Sequence, residues 1–316
     1  MKNRQVSFLS IANNQKILKC EKFLNEMKAV MPWKELIKAI EPYYVEKETG
    51  RKKTDLLLML KIHFLQQWYN LSDPGMEEAI YDRNSFQKFL EVDLLADKVP
   101  DETTILHFRH FLEEHKLPQE LFEITTMILE EKGLIMKKGT TVDATIITAS
   151  GSTKNKAHKR DLDMRSTRKG ANYYFGIKAH TGTDMESGVV HTLKVTSANE
   201  SDVTQLEDLL HGDEKAIGGD KAYASDKKKR ECRNLGIAYT ILDKAKRGKK
   251  LSSKQKKRNK KYSSIRALVE HPYRVVKHQW GHRKVRYKGL FKNTMQFYTL
   301  FMLANIFKVR RKLAVL

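Results

Sequence analysis

Cysteine, long apolar runs and, toward the C-terminus, negative charge are all scarce in this chain, and each scarcity excludes a class of protein. Only two of the 316 residues are cysteines, Cys20 and Cys232. They lie far apart and offer neither a disulfide framework nor a metal-ligand spacing, so a reducing cytoplasm is the expected setting. The N-terminal Met1-Lys2-Asn3-Arg4-Gln5 lacks the apolar run of a signal peptide, and the longest uncharged stretch, Thr294 to Phe307, is too short to span a bilayer. No membrane partner is expected. Phe297, Leu300, Phe301, Leu303, Ala304 and Phe307 recur there at mostly helical spacing, which reads as a buried core helix.

The scarcity of acid is the most informative. From Lys244 to the C-terminus there are 23 Lys/Arg residues and one carboxylate, Glu270. A basic surface serves a polyanion. A carboxylate kept inside one repels phosphate unless a divalent cation stands between them. The pairing points to metal-dependent chemistry on nucleic acid; the plainer alternative is a solvated basic surface of the ribosomal-protein kind. The asymmetry runs through the chain: residues 1–138 carry 21 Lys/Arg against 22 Asp/Glu, and residues 139–316 carry 39 against 16. That division reads as a boundary between two domains.

Residues 1–138 read as all helix. The stretch 53–69 is long, apolar and free of breakers, and Ser72-Asp73-Pro74 caps the next helix with proline in its first turn. Asp101 is an N-cap ahead of Ile105, Phe108, Phe111 and Leu112, a core stripe at helical spacing. Such a module could present a DNA-reading helix pair or a dimer contact, or simply pack.

After Gly139 the period changes. Residues 139–147 are β-branched and apolar and read as a strand interrupted by Asp143, a carboxylate that is costly in a buried strand unless paired or metal-bound. A Ser/Lys/Arg-rich loop at 150–170 shows no apolar periodicity. Strands are expected at Tyr173–His180 and Val189–Ser197, with turn residues between them, and a helix at Ser201–Leu210. A further strand, Ala216–Tyr223, carries Asp220 beside Gly218 and Gly219, which permit close approach of a neighbouring backbone. A basic helix at 225–235 leads to a strand at Ile237–Leu242. Lys244 to Lys261 reads as an exposed basic arm lying on phosphates, or as a disordered basic loop. At about 100° per residue, Arg266, Glu270 and Lys277 fall within about 40° on one helix face, opposite Ile265, Leu268, Val269 and Val276. Pro272 favours a kink.

These residues together carry a resemblance. Thr141-Val-Asp143-Ala-Thr-Ile-Ile, Asp163-Met-Arg-Ser-Thr-Arg-Lys-Gly, Phe175-Gly-Ile-Lys-Ala-His180, Gly219-Asp220-Lys-Ala-Tyr223, Arg266-Ala-Leu-Val-Glu270-His-Pro and Arg286-Tyr-Lys-Gly-Leu with Lys292-Asn293 resemble bacterial DDE transposases. More narrowly they resemble the insertion-sequence five family of the insertion-sequence four group. Gly50-Arg51, Leu71-Ser72-Asp73, Ser85-Phe86 and Pro100-Asp-Glu-Thr-Thr104 are similar to that family's helical N-terminal domain. Arg266, Glu270 and Lys277 match the spacing of its signature, whose tyrosine position holds Ser263 here, with Tyr262 one place early.

The resemblance implies an α/β, ribonuclease-H-like catalytic domain with a mixed sheet (residues 139–316), preceded by an all-helical domain (1–138) for end recognition or dimerisation. Asp143 would stand on the first strand, Asp220 at the end of the fourth, and Glu270 on a later helix. The 49 residues between Asp220 and Glu270 leave little room for a large insertion. The expected cofactor is a pair of Mg²⁺ ions, replaceable by Mn²⁺, with Asp143 bridging and Asp220 and Glu270 completing one site each, in an in-line displacement on DNA. The expected partners are double-stranded DNA, as terminal inverted repeats and as target, and a second copy of the chain when ends are bound. Localisation would be the bacterial cytoplasm, with the nucleoid. Arg266, Arg274, Lys277, Lys221, Tyr223, Lys257, Arg258, Lys260 and Lys261 are the candidate DNA contacts. A metal-dependent nuclease and a domesticated DNA-binding protein are the alternatives.

Overall fold

Side-chain caps set the starts of three of the N-terminal helices. The computed structural model describes residues 16–45, 52–154, 156, 158–245, 248 and 250–316, without the side chains of 264–267. Met1–Gln5, Gly50 and Arg51, the Lys246, Arg247 and Lys249 portion of the basic run, and the Arg266 side chain therefore lie outside the described residues. Helices α1 (Lys19–Val30), α2 (Trp33–Ile40), α3 (Leu56–Tyr69), α4 (Asp73–Asp82), α5 (Asn84–Leu90), α6 (Glu102–Glu114) and α7 (Leu117–Glu131) come first. Asp55 accepts from the Leu58 amide at 2.7 Å, Ser72 from Gly75 at 3.1 Å and Asp101 from Thr104 at 2.7 Å, which satisfies first-turn donors of α3, α4 and α6. Helix α3 is buried along Met59–Trp68 on every side, its polar Lys61, His63, Gln66 and Gln67 included.

Strands β1 (Gly139–Thr148), β2 (Arg165–Lys169), β3 (Asn172–Asp184), β4 (Val190–Ser197), β5 (Ala216–Gly219) and β6 (Ala238–Ile241) form one mixed sheet of order β2-β3-β1-β5-β6, with β4 also on β3. β3 pairs antiparallel with β1 from Thr140 to Thr148. β5 pairs parallel with β1 only from Gly139 to Val142. One edge of β1 is therefore left by β5 at the position of Asp143. The close approach expected at the two glycines is present: a Cβ on Gly219 would sit 2.9 Å from Val142 Cγ2, and one on Gly218 2.8 Å from Met185 Cε.

Helix α8 (Asp226–Asn234) precedes β6, and α9 (Ser253–Arg274) and α10 (Leu290–Leu313) close the chain. The apolar cluster on one face of the sheet is continuous from Leu24, Phe64 and Trp68 of the N-terminal helices through Ile177 and Leu193 to Val276, Trp280 and Phe301. The other face packs Val142, Leu206, Leu209, Ile217, Tyr223, Cys232 and Ile241. The predicted core helix is α10. Trp280 is core too, edge-on to Phe307 at 6.1 Å.

Five expectations need correction. The strand expected at Ala216–Tyr223 ends at Gly219, because Asp220 caps a 3₁₀ turn, Lys221–Tyr223. The loop expected at 150–170 contains β2, whose pairing comes from β3 and not from any apolar pattern of its own. Strand β3 runs on to Asp184, so Gly182 and Thr183 lie in the ladder and not in the turn. The helix expected at Ser201–Leu210 is two 3₁₀ turns, Asp202–Gln205 and Glu207–Leu209. Leu206 and Leu209, three apart, both enter the core, a spacing that 3₁₀ geometry stacks on one side, and Ser201 makes no side-chain cap bond. From Ser253 onward the basic arm is the start of α9 itself. Ser252 and Gln255 cap it reciprocally, and no breaker interrupts the turns before Pro272. After Pro272 the chain passes into a π-helical turn, Val275–Gln279.

Three buried histidines tie this fold to pH. Burial pushes His63 down to about 3, and His180 and His282 to about 4. An unfolded chain would protonate all three near pH 6.5, so their contribution to stability is complete above about pH 6.5 and lost as pH falls toward 4, by up to about 1.4 kcal/mol per pH unit for each. Urea midpoints should drop between neutral pH and about pH 5; equal midpoints would show that these rings are not held neutral.

Candidate active site

The pleat and the end of β5 decide where the acids of this sheet lie. Asp143 pairs across β1 with Thr181, one residue beyond the last β5 partner, and is 8% exposed. Asp220 directly follows β5, where its Oδ1 accepts from the Lys221 amide at 2.7 Å and caps a 3₁₀ turn, Lys221–Tyr223. Glu270 stands exposed on α9, three residues before Tyr273. The Tyr273 hydroxyl donates to the Asp143 carbonyl at 2.9 Å and lies 2.6 Å from Thr181 Oγ1, which fixes α9 against β1. Asp143, Asp220 and Glu270 line a single cleft of about 830 Å³. Consecutive residues Asp143 to Ile146 also line it, so the stretch of β1 beyond β5 is its floor.

The cationic residues expected to contact DNA divide into two groups. Lys221 and Arg274 are exposed and line the cleft, and Lys257, Lys260 and Lys261 are exposed on the first turns of α9. Arg258, though part-exposed, is committed to an intramolecular ion pair: its Nε donates to Asp243 Oδ2 at 2.8 Å, alongside Lys229 at 3.1 Å, and this cluster pins α9 to the end of β6. Burial works against ionisation of Asp243, yet those two cations hold its carboxyl below the usual range. Lys277 lines the cleft but donates to Thr145 Oγ1 at 3.1 Å and to the Ile146 carbonyl at 3.0 Å, which staples the π turn to β1. Desolvation, then Lys169 and Arg283, push its pKa down.

Tyr223 is a correction. At 1% exposed it is no surface contact for DNA, because its ring completes the apolar cluster beneath the cleft and its hydroxyl sits 3.2 Å from His180 Nδ1. Burial, reinforced by Tyr273 and the carboxylates of Asp202, Asp143 and Asp220, pushes the phenol pKa up, so it stays protonated.

Two cleft residues escape the sequence reading. Lys178, 9% exposed on β3, donates to Asp202 Oδ1 at 2.9 Å and to the Glu200 carbonyl at 2.7 Å. Asp202 is thus a fourth carboxylate at the cleft, already neutralised by the chain itself. The signal was present in Phe175-Gly-Ile-Lys-Ala-His180: two polar residues at alternate positions of an otherwise apolar strand share a face and need partners.

The donor set is all oxygen, the chemistry that suits a hard divalent cation. Among the described residues no three His, Cys, Asp or Glu side chains close on a point that could hold a metal ion. The three carboxylates are gathered to one cleft without converging.

A mixed sheet that carries one carboxylate on its first strand, a second just beyond the parallel neighbour and a third on a following helix defines the ribonuclease-H-like class. Residues 136–306 match the family described as Transposase DDE domain, and residues 12–111 match the Transposase domain (DUF772). The chain belongs to the DDE transposase family. A cryo-EM structure of the piggyBac transposase synaptic complex with hairpin DNA is similar at a TM-score of 0.46 and 10% identity, over 96% of this chain and 76% of that one. Among the described residues no helix is long and apolar enough to cross a membrane.

The Lys178–Asp202 pair gives a test of the cleft wall. Lys178→Met should cost about 2–3 kcal/mol, below the 3–5 of a fully buried pair because Asp202 is partly exposed. With Asp202→Asn added, urea unfolding should show a double-mutant cost well below the sum of the single costs. Additive costs would mean that the two groups do not interact.

Proposed function

We propose that this transposase binds the ends of an insertion element, cleaves phosphodiester bonds there and joins the freed 3′-hydroxyl to target DNA, with Asp143, Asp220 and Glu270 as the reactive centre. The observation that carries this reading is that three carboxylates from β1, the end of β5 and α9 line one cleft in the half of the chain that holds the excess of positive charge. The same three residues would hold the divalent ions. Bound there, Mg²⁺ would supply Lewis acidity toward the attacking and leaving oxygens of an in-line displacement.

The chain's own groups do the rest. Lys221 and Arg274 hold the DNA backbone at the cleft, Tyr273 fixes Glu270's helix against Asp143's strand, and Lys178 keeps Asp202 from adding further negative charge. Lys257, Lys260 and Lys261 extend the cationic track along α9. The near-neutral helices α1–α7 supply end recognition or the contact to a second copy, since base-edge contacts give specificity without net charge. The narrower placement in the insertion-sequence five group rests on the spacing of Arg266, Glu270 and Lys277.

Incubation of the protein with a linear fragment from the DNA flanking its gene and with a supercoiled plasmid tests the activity. Strand-transfer product supports the proposal, cleavage alone would reduce the protein to a nuclease, and binding alone would leave no catalysis. Asp143→Asn, Asp220→Asn and Glu270→Gln should each abolish cleavage and leave DNA binding within about twofold, because the phosphate-contacting cations remain. Near-wild-type cleavage by any one of them removes that residue from the centre. Mg²⁺ or Mn²⁺ should raise the melting temperature of the wild-type protein by mass action and leave the triple neutral variant unchanged. An equal rise in the triple variant would put the ions elsewhere.

A further inference from the structure

Strands normally bury at least one face, and β2 buries neither: Arg165, Ser166, Arg168 and Lys169 are exposed and only Thr167 is half-buried. Paired with Asn172–Gly176 of β3, it forms a two-stranded ribbon that turns at Gly170, φ +64°, beyond the end of β1.

The root of this ribbon is fixed. Met164 is buried in the core, and Asp161 and Asp163 accept from the Gly289 and Leu290 amides at 2.7 and 3.1 Å, at the start of α10. The Arg160 guanidinium lies 5.4 Å from the Phe175 ring centre.

The tip, by contrast, is solvated and well equipped for a polyanion. Arg168 and Tyr173 are cross-strand partners on one face, the guanidinium 5.5 Å from a ring that is 72% exposed. Thr167 and Lys169 lie on the opposite face, and the segment Thr167–Gly170 walls the cleft that Asp143, Asp220 and Glu270 line. A ribbon with a fixed root, a β2 strand that buries no apolar side chain and an exposed Arg–Tyr pair at its tip contributes little to the core there.

We propose that the ribbon Arg165–Tyr173 is a DNA-reading element that enters the major groove of the duplex beside the phosphodiester held in the cleft. Lys169 contacts the backbone on the cleft side, and Arg168 and Tyr173 reach base edges. The dimensions agree, since the major groove admits a two-stranded β-ribbon. The inference rests on the reading of the cleft as a DNA-cleaving site and specifies which part of the DNA the chain reads and with what.

The experiment compares wild-type protein, Arg168→Ala, Tyr173→Ala, Tyr173→Phe, Lys169→Ala and Asp143→Asn on a short duplex from the DNA flanking the gene. Binding is measured by anisotropy across a salt series, and major-groove occupancy by protection of guanine N7 from methylation. Arg168→Ala and Tyr173→Ala should weaken binding by about 5- to 100-fold and lose the N7 protection nearest the cleavage position, with protection elsewhere retained. Tyr173→Phe should keep both. Lys169→Ala should lower the slope of log K against log salt by about 0.9 and leave the protection pattern in place. Melting temperatures equal to wild type exclude misfolding for these exposed positions. Wild-type protection and affinity in Arg168→Ala and Tyr173→Ala would overturn the inference. If Asp143→Asn cuts normally and the wild-type protein protects no N7 at all, the reading of the cleft fails and the inference with it. Loss confined to the ribbon variants leaves that reading standing.

Discussion

The early stop of β5 is the constraint on which the cleft depends. Four residues long, it covers β1 only to Val142, so beyond that point the strand that carries Asp143 has a strand partner on one side only, and the Tyr273 hydroxyl and the Lys277 ammonium reach it in place of a second strand. Gly218 and Gly219 let β5 approach Val142 and Met185 closely, and Asp220 then turns the chain away by capping the Lys221–Tyr223 turn. A longer β5 would continue the ladder along Asp143 to Ile146 and fill the space that those residues now line. A carboxylate in a covered strand would carry a large desolvation cost. At an edge that lines the cleft, Asp143 escapes that enclosure.

The remaining walls are held by polar bonds made at a distance in sequence. Tyr273 ties α9 to the Asp143 carbonyl, Lys277 ties the following π turn to Thr145 and Ile146, and Arg258 ties the start of α9 to Asp243. The long basic helix is therefore clamped at both ends, which explains how a segment so rich in like charge stays helical against its own repulsion. On the far side, Arg286 donates to the Asn70 carbonyl at 2.8 Å, His282 to the Gln67 carbonyl at 2.8 Å, and Arg109 lies 4.4 Å from the Tyr287 ring centre. The Arg286–Asn293 segment, part of the family-like pattern, thus joins the sheet to the N-terminal helices.

Local chemistry explains what could be read from sequence. Asp55, Ser72 and Asp101 act within three residues of themselves, so a helix start can be recognised without knowing the fold. The order of strands and of the three acids was legible for a similar reason, because apolar runs interrupted by a carboxylate stand out. β2 was not legible, since it is defined by its partner and has no buried face. The bonds of Tyr223, Arg258 and Lys277 are not legible for one common reason: composition shows a polar or cationic side chain, while its structural ties depend on which carbonyl, carboxylate or ring the fold sets beside it. The Ser252–Gln255 box was readable in principle and was hidden by the charge run around it.

The distribution of charge at the cleft follows from these ties. Where a cation has a structural duty the chain supplies its acid, as in Lys178 with Asp202, Lys229 and Arg258 with Asp243, and Arg109 with Asp73 and Glu113. Around Lys277, burial first and then the nearby Lys169 and Arg283 depress the lysine's pKa. Cations crowded in this way destabilise the free protein, and each would gain from a phosphate placed among them. At Lys277 that repulsion lies between the ribbon and the π turn. The crowding around Lys277 thus stands at the cleft, where a polyanion would relieve it.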